Sequence, residues 1–288
     1  MVELKPATTY EQQLQLFIDR GVIVSDPVFC KRILSEISYY RFSAYFLPFR
    51  NSDGTYIPGT SFESVYRIYE FDRKLRHILF SAVEEIEIYL RTKLSYYHAH
   101  RYGPEGYMDS LNFGPGHNAD KFLTTLKREI DNNKRALFVQ HHIRNYAGHF
   151  PIWVISELFT FGMLSRFYSD LKTSDKKELA KDLYGTVPQN ISSWLRCVTD
   201  LRNICAHYGR LYYRIFSAAP AGFGELTEAA KHRLWGAVLA LKALYPDAEK
   251  WNCEILRDMI NLFDEYSDDI HLFHIAFPQN WSIVLEQH

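Results

Sequence analysis

The chain has 288 residues, a formal net charge of −1, 47% hydrophobic residues and 16% aromatics. It is long enough to bury a substantial core. Its near-neutral balance excludes a general polyanion binder, so any nucleic-acid contact must come from a local patch. Cys30, Cys197, Cys205 and Cys253 show neither zinc-pair spacing nor a disulfide framework, and read as buried thiols of a reducing compartment. The start, MVELKPATTYEQQ, carries no apolar leader core, and no run has the length needed to span a bilayer. A cytoplasmic protein without membrane contact is expected.

In chain order, Thr8 or Thr9 can cap a first helix that runs to Arg20 and is closed by Gly21. Ser25, Asp26 and Pro27 open a second helix, whose Phe29, Ile33, Leu34 and Ile37 face one way. The two make a small helical hairpin. YYRFSAYFLPFR (39–50) follows, with Pro48 as its stop. Asp-Gly and Pro-Gly in NSDGTYIPGT (51–60) predict a short hairpin or loop. Ser61 then caps the longest periodic run, a helix from 62 to about 100 without proline or glycine. Within it, Glu84, Glu87 and Arg91 have the spacing of a helix-surface ion pair.

YGPEGYMDSLNFGPG (102–116) is a loop or the lip of a cleft. Helices resume over about 120–131 and 134–146. His141, His142 and His149 lack a carboxylate or cysteine at ligand spacing, so surface histidines are expected there and no metal. Pro151 starts a helix that Gly162 interrupts, with Trp153, Ile155, Leu158, Phe159 and Leu164 as core candidates. Glu157 lies among them. A carboxylate in such a run needs a partner, and Arg202 or Arg210 of the segment below is the expected one. Thr173 or Ser174 caps a short charged helix, and Pro188 begins the next. After Ser217, AAPAGFG reads as a linker. Two amphipathic helices (about 227–244 and 248–266) follow, with Pro246 between them, and then an apolar tail that packs back on the body. The expected organisation is an N-terminal helical segment (1–60), a helical core (61–217) and a C-terminal extension on that core (218–288).

The strongest chemical pattern is RNICAHYGRLYYR (202–214). On a continuous helix, at about 100° per residue, Asn203, His207, Arg210 and Arg214 share one stripe. Leu201, Ile204, Tyr208, Leu211, Tyr212 and Ile215 take the other side. Arg202 is turned about 140° from His207, so a long side chain, a bend or a second subunit is needed to bring the two together. With Arg196, these arginines make a basic patch against the single carboxylate of Asp200. Such a set suits a phosphodiester. Histidine exchanges protons near neutrality, and guanidiniums hold phosphate oxygens and stabilise developing charge. On spacing alone, a solvated helix face with its arginines paired to acids on a neighbour is the favoured reading.

Arg, a polar residue, three more residues and then His resemble the signature of the HEPN superfamily, all-helical domains that include many metal-independent ribonucleases. The wider stretch is similar to the corresponding segment of the Abi-like (AbiD/AbiF) abortive-infection proteins. So are YYRFSAYFLPFR (39–50), YEFDRKLRHILFSAVEEIEIYLRTKL (69–94) and PIWVISELFTFGMLSRFYSDL (151–171), together covering roughly residues 10 to 220.

The resemblance implies an all-α antiparallel bundle of HEPN type with extra terminal helices. It also implies an RNA-cleaving, cofactor-free effector of phage defence that acts as a homodimer. In that reading His207 is general acid or base, Arg202 binds the scissile phosphate, and Asn203 orients the ring or a phosphate oxygen. Arg210, Arg214 and Arg196 grip flanking phosphates, and Glu157 supports them. A non-catalytic RNA- or protein-binding module remains the alternative. A third reading is purely structural, with Arg202 and His207 buried and paired to Glu157 or Asp200.

Overall fold

The computed structural model describes residues 6–224 and 226–286. The first five residues, part of the stretch read above for a leader, lie outside them. Among the described residues the protein is all-α, and β-type pairing is confined to isolated bridges such as Arg50–Tyr56 and Ile23–Ser61.

Helices α1 (Tyr10–Ile18) and α2 (Pro27–Glu36) form the expected hairpin. Thr9 and Gln12 close a capping box on α1. Asp26 accepts from the backbone N–H groups of Val28 and Phe29 at the start of α2, with Pro27 in the first turn. Helix α3 (Tyr39–Ser43) tightens into a 3-10 segment, Ala44–Phe49, that tolerates Pro48. Phe17, Phe42, Phe46 and Phe62 are fully buried here, with ring centroids 4.5 Å (Phe17–Phe46) and 4.8 Å (Phe42–Phe62) apart.

Helix α4 (Phe62–Tyr102, 41 residues) is the axis of the fold, and Ser61 accepts from the Ser64 N–H as its cap. Leu75, Leu79, Val83, Ile86 and Leu90, spaced four, four, three and four, form one buried stripe. Each contributes about 1.5–3 kcal/mol of transfer free energy. Arg91 meets Glu87 at 2.8 Å, the ion pair read from the spacing.

Helices α5 (Ala119–Asn132) and α6 (Leu137–Asn145) come next, then α7 (Ile152–Ile155). Gly162 is not the interruption that was expected. The helical path tightens at Ser156–Leu158, breaks at Phe159, and restarts as α8 (Phe161–Asp170) under a Thr160 cap, so Gly162 lies inside a helix. Helix α9 (Thr173–Tyr184) ends on left-handed Gly185, and α10 (Pro188–Ala206) packs on α4, α8 and the C-terminal part.

Of the two C-terminal helices, the second spans its expected range, about 248–266, while the first is broken near its start. The first is divided into α11 (Glu228–Lys231) and α12 (Leu234–Leu244). The second begins as α13 (Ala248–Lys250), passes through a π-helical stretch, Trp251–Leu256, and continues as α14 (Arg257–Glu265). The tail folds back as expected through α15 (Leu272–Ile275) and α16 (Trp281–Leu285). The buried Trp251 Nε1–H donates to the Leu285 carbonyl at 2.8 Å. Residues from all three parts of the chain share one buried apolar cluster. Cys30, Cys197 and Cys205 are buried thiols, whereas Cys253 is exposed because it lies on the outer side of the π-helical stretch. Among the described residues, no helix is long and apolar enough to cross a membrane.

Candidate functional site

Helix α10 stops at Ala206, and His207 is its C-cap residue. The long stripe through Asn203, His207, Arg210 and Arg214 therefore does not form. The stop is a Schellman motif. The Tyr208 N–H bonds to the Cys205 carbonyl at 3.1 Å, and the Gly209 N–H to the Ile204 carbonyl at 2.7 Å. The left-handed position of this motif, usually glycine, is held by Tyr208 at φ 57°. The glycine comes one residue later because a Cβ at 209 would lie 3.0 Å from Ile204 Cγ2 and 3.2 Å from its carbonyl oxygen. Once the helix ends, the second half of the apolar side scatters. Leu211 and Tyr212 are buried, while Tyr208 is 69% and Ile215 71% exposed.

The segment after His207 is held by side chains remote in sequence. Asp72, fully buried on α4, accepts from the Leu211 N–H at 3.1 Å, the Tyr212 N–H at 2.7 Å and the Tyr45 hydroxyl at 2.7 Å. It also pairs with Arg76 one turn on. Arg76 donates to the Gly209 carbonyl at 3.2 Å, and Arg41 of α3 donates to the Tyr208 carbonyl. Burial raises the Asp72 carboxyl, and the Arg76 guanidinium and the other donors oppose that rise. The Asp-x-x-x-Arg spacing in YEFDRKLR was the available sequence signal for this clamp. It is indistinguishable from an exposed ion pair until the tertiary contacts are known.

Among the expected site residues, His207 and Asn203 are exposed. Arg196 is exposed on the same outer side of α10, two turns before Asn203. Next to it runs a groove of about 580 Å3 between α8 and α10, with Ser192, Arg196 and Thr199 on one wall and Ser165 and Arg166 on the other. Arg202 is half-buried beside this face. Its Nη1 reaches Asn203 Oδ1 at 3.5 Å, and its buried Nε has no hydrogen-bond partner. Arg214 is half-buried too, and its buried Nε likewise lacks a partner.

Arg210 is turned inwards. It donates to the Ala44 carbonyl and its guanidinium lies 5.9 Å from the centre of the Tyr45 ring. Burial lowers its pKa from the ordinary value. Glu157 does not face the motif arginines. Its side chain is 57% exposed and pairs with Arg91 of α4 at 3.6 Å, because the 3-10 turn after α7 points it outwards. Asp200 is no partner of the arginines either; its carboxylate accepts from the Ser217 hydroxyl and the Ala218 N–H. The structure departs from the structural reading, which buries Arg202 and His207 in pairs with carboxylates such as Glu157 or Asp200, in that His207 is exposed and Arg202 only half-buried.

The histidines of the α6 region are separately engaged. His149 Nδ1 lies 3.0 Å from Glu105, and His142 Nδ1 lies 2.9 Å from the Phe138 carbonyl. Burial pushes the Cys205 thiol, behind the motif, up to about 12, so it is protonated at neutral pH.

Fold and site together define an all-helical protein that presents a histidine and an asparagine at the exposed end of one helix, with the Arg202 guanidinium against the asparagine. The chain belongs to the Abi-like protein family, whose model matches residues 32–213. The match runs from α2 through α10 and the clamped segment, and so includes Arg41, Asp72, Arg76 and His207. No curated protein and no solved structure matches the chain significantly. Family membership places the protein with the abortive-infection, phage-defence class.

Proposed function

We propose that the protein is a metal-independent endoribonuclease of HEPN type that acts in phage defence. The observation that carries this reading is the open position of His207. His207 is exposed at the end of α10, one turn after exposed Asn203, whose Oδ1 the Arg202 guanidinium reaches at 3.5 Å. An imidazole open to solvent is available for proton transfer.

In the proposed reaction the ribose 2′-oxygen attacks the adjacent phosphorus as its proton passes to a base. The bond to the 5′-oxygen breaks, and that oxygen takes up a proton. The products are a 2′,3′-cyclic phosphate and a 5′-hydroxyl. His207 is the proton-transfer group. Arg202 holds the scissile phosphate and stabilises its added charge, and Asn203 orients the ring or a phosphate oxygen. Arg196 and Arg214 supply flanking phosphate contacts. Arg210 leaves that set for a positioning role, because its guanidinium is committed to Ala44 and Tyr45. A homodimer that places two His207 turns around one RNA strand completes the proposal.

The test is cleavage of total RNA, with a chelator present, by wild type, His207→Ala and Arg202→Ala. Cleavage by wild type that both substitutions abolish supports the roles. Equal cleavage by all three rejects them.

A further inference from the structure

A second groove opens on the other side of the His207 turn, with a volume of about 670 Å3. Helix α3 supplies Arg41, α4 supplies Tyr69, Arg73 and Phe80, and the end of α10 with the turn after it supplies Cys205 and Tyr208. This size suits a small organic group. Its charges are mostly cancelled in place. Arg73 is held by both oxygens of Glu70, Arg76 by Asp72, and Glu36 by Arg32. Arg41 has no carboxylate partner among the described residues, and its guanidinium donates to the Tyr208 carbonyl.

Tyr208 is the residue that needs explaining. It occupies a left-handed backbone position at a cost of order 1 kcal/mol against glycine, yet its ring is not used for packing, being 69% exposed. Arg41 and the Schellman bonds hold it there, directly after His207. An exposed aromatic side chain on a pinned backbone, two further aromatic walls and one uncompensated guanidinium are what an unpaired nucleotide requires. The ring stacks the base and the cation meets a phosphate.

We infer that this groove is a nucleobase subsite for single-stranded RNA, in which the base stacks on Tyr208 and a neighbouring phosphate sits on Arg41. The inference rests on the ribonuclease reading for its choice of RNA. It adds that the strand bends over the end of α10, with one base and its neighbouring phosphate on the α4 side and the scissile phosphate on the Asn203–His207 side.

The experiment measures binding of a fluorescein-labelled, mixed-sequence 2′-O-methyl RNA 12-mer to the full-length protein by anisotropy. This probe cannot be cut, since the attacking hydroxyl is blocked. Tyr208→Asn removes the ring and keeps a residue that accepts the left-handed backbone. It is expected to weaken binding about 5- to 100-fold, the range for one stacked base, without lowering the melting temperature. Tyr208→Phe is expected to bind within about twofold of wild type, because the aromatic face is retained. Arg41→Gln should weaken binding and flatten its salt dependence.

Unchanged binding by Tyr208→Asn overturns the subsite, as does equal loss with Tyr208→Phe. Conversion of a dimer to a monomer by Tyr208→Asn, seen by sedimentation, overturns it as well and makes the ring a subunit contact. The two proposals fail separately. RNA cleavage lost in His207→Ala with Tyr208-independent binding removes only the subsite. Tyr208-dependent binding with no cleavage by wild type removes only the nuclease.

Discussion

The Asp72 carboxylate takes the backbone N–H of Tyr212 at 2.7 Å, joining two residues 140 positions apart. Through this bond and its companions on Leu211, Tyr45 and Arg76, the long helix α4 dictates the path of the chain just after His207. The first prediction tests that dependence. Asp72→Ala leaves Arg76 buried without its counter-ion and two backbone N–H groups without acceptors. It should destabilise the protein by about 3–5 kcal/mol, read as a shift in the urea midpoint. Asp72→Asn, which keeps one acceptor oxygen, should cost less. In both, amide exchange at Leu211 and Tyr212 should speed up before exchange in the middle of α4 does.

His207→Ala separates function from stability. The residue is exposed and its side chain bonds no partner among the described residues, so the substitution should change unfolding free energy by no more than about 0.5 kcal/mol. Under the proposed mechanism it abolishes RNA cleavage. A drop in melting temperature as large as that of Asp72→Ala would show instead that the ring is part of the scaffold.

Two arginines of the basic patch should behave oppositely. Arg210→Ala strips the Ala44 carbonyl of its donor and uncovers the Tyr45 ring, so a loss of about 1–3 kcal/mol in stability is expected. Arg196→Ala removes an exposed side chain from the wall of the α8–α10 groove. It should leave stability unchanged and weaken RNA binding at low salt more than at high salt.

Acid should unfold the protein through two histidines. His98 and His274 are buried, and burial pulls both down to about 4 from an ordinary value of 6.5. Neither ring nitrogen of His98 has a hydrogen-bond partner, while His274 Nδ1 lies 2.7 Å from the Tyr212 hydroxyl. A histidine depressed in the folded state binds its proton more tightly when unfolded. Its contribution is therefore complete above pH 6.5 and is lost as pH falls from there towards 4. Each accounts for about 3 kcal/mol across that window. Thermal melts between pH 4.5 and 7.5 should show a steep fall on the acid side. His98→Phe, which cannot take up the proton, should flatten the curve.

Much of the helical skeleton could be read from local chemistry. The Thr9, Asp26 and Ser61 caps, the uninterrupted α4 and the Glu87–Arg91 pair are all short-range features, and all appear where the pattern puts them. Reading failed at helix ends that no proline or local glycine announces. The periodicity of RNICAHYGRLYYR continues smoothly past Ala206, and the glycine that signals a stop stands one residue beyond the left-handed position, which Tyr208 fills. The same limit misplaced the break near Gly162, and it sent Glu157 towards arginines that it does not reach.

The sequence by itself determined the family, the all-helical class and the identity of the reactive types in 202–214, because capping, periodicity and residue chemistry act over a few neighbours. Only the tertiary structure decided which of those side chains face outwards. Arg41, Asp72 and Arg76, distant in sequence, bond the backbone of 208–212 where it leaves the line of α10. On that path Arg210 turns inwards, and His207 and Tyr208 stay open to solvent.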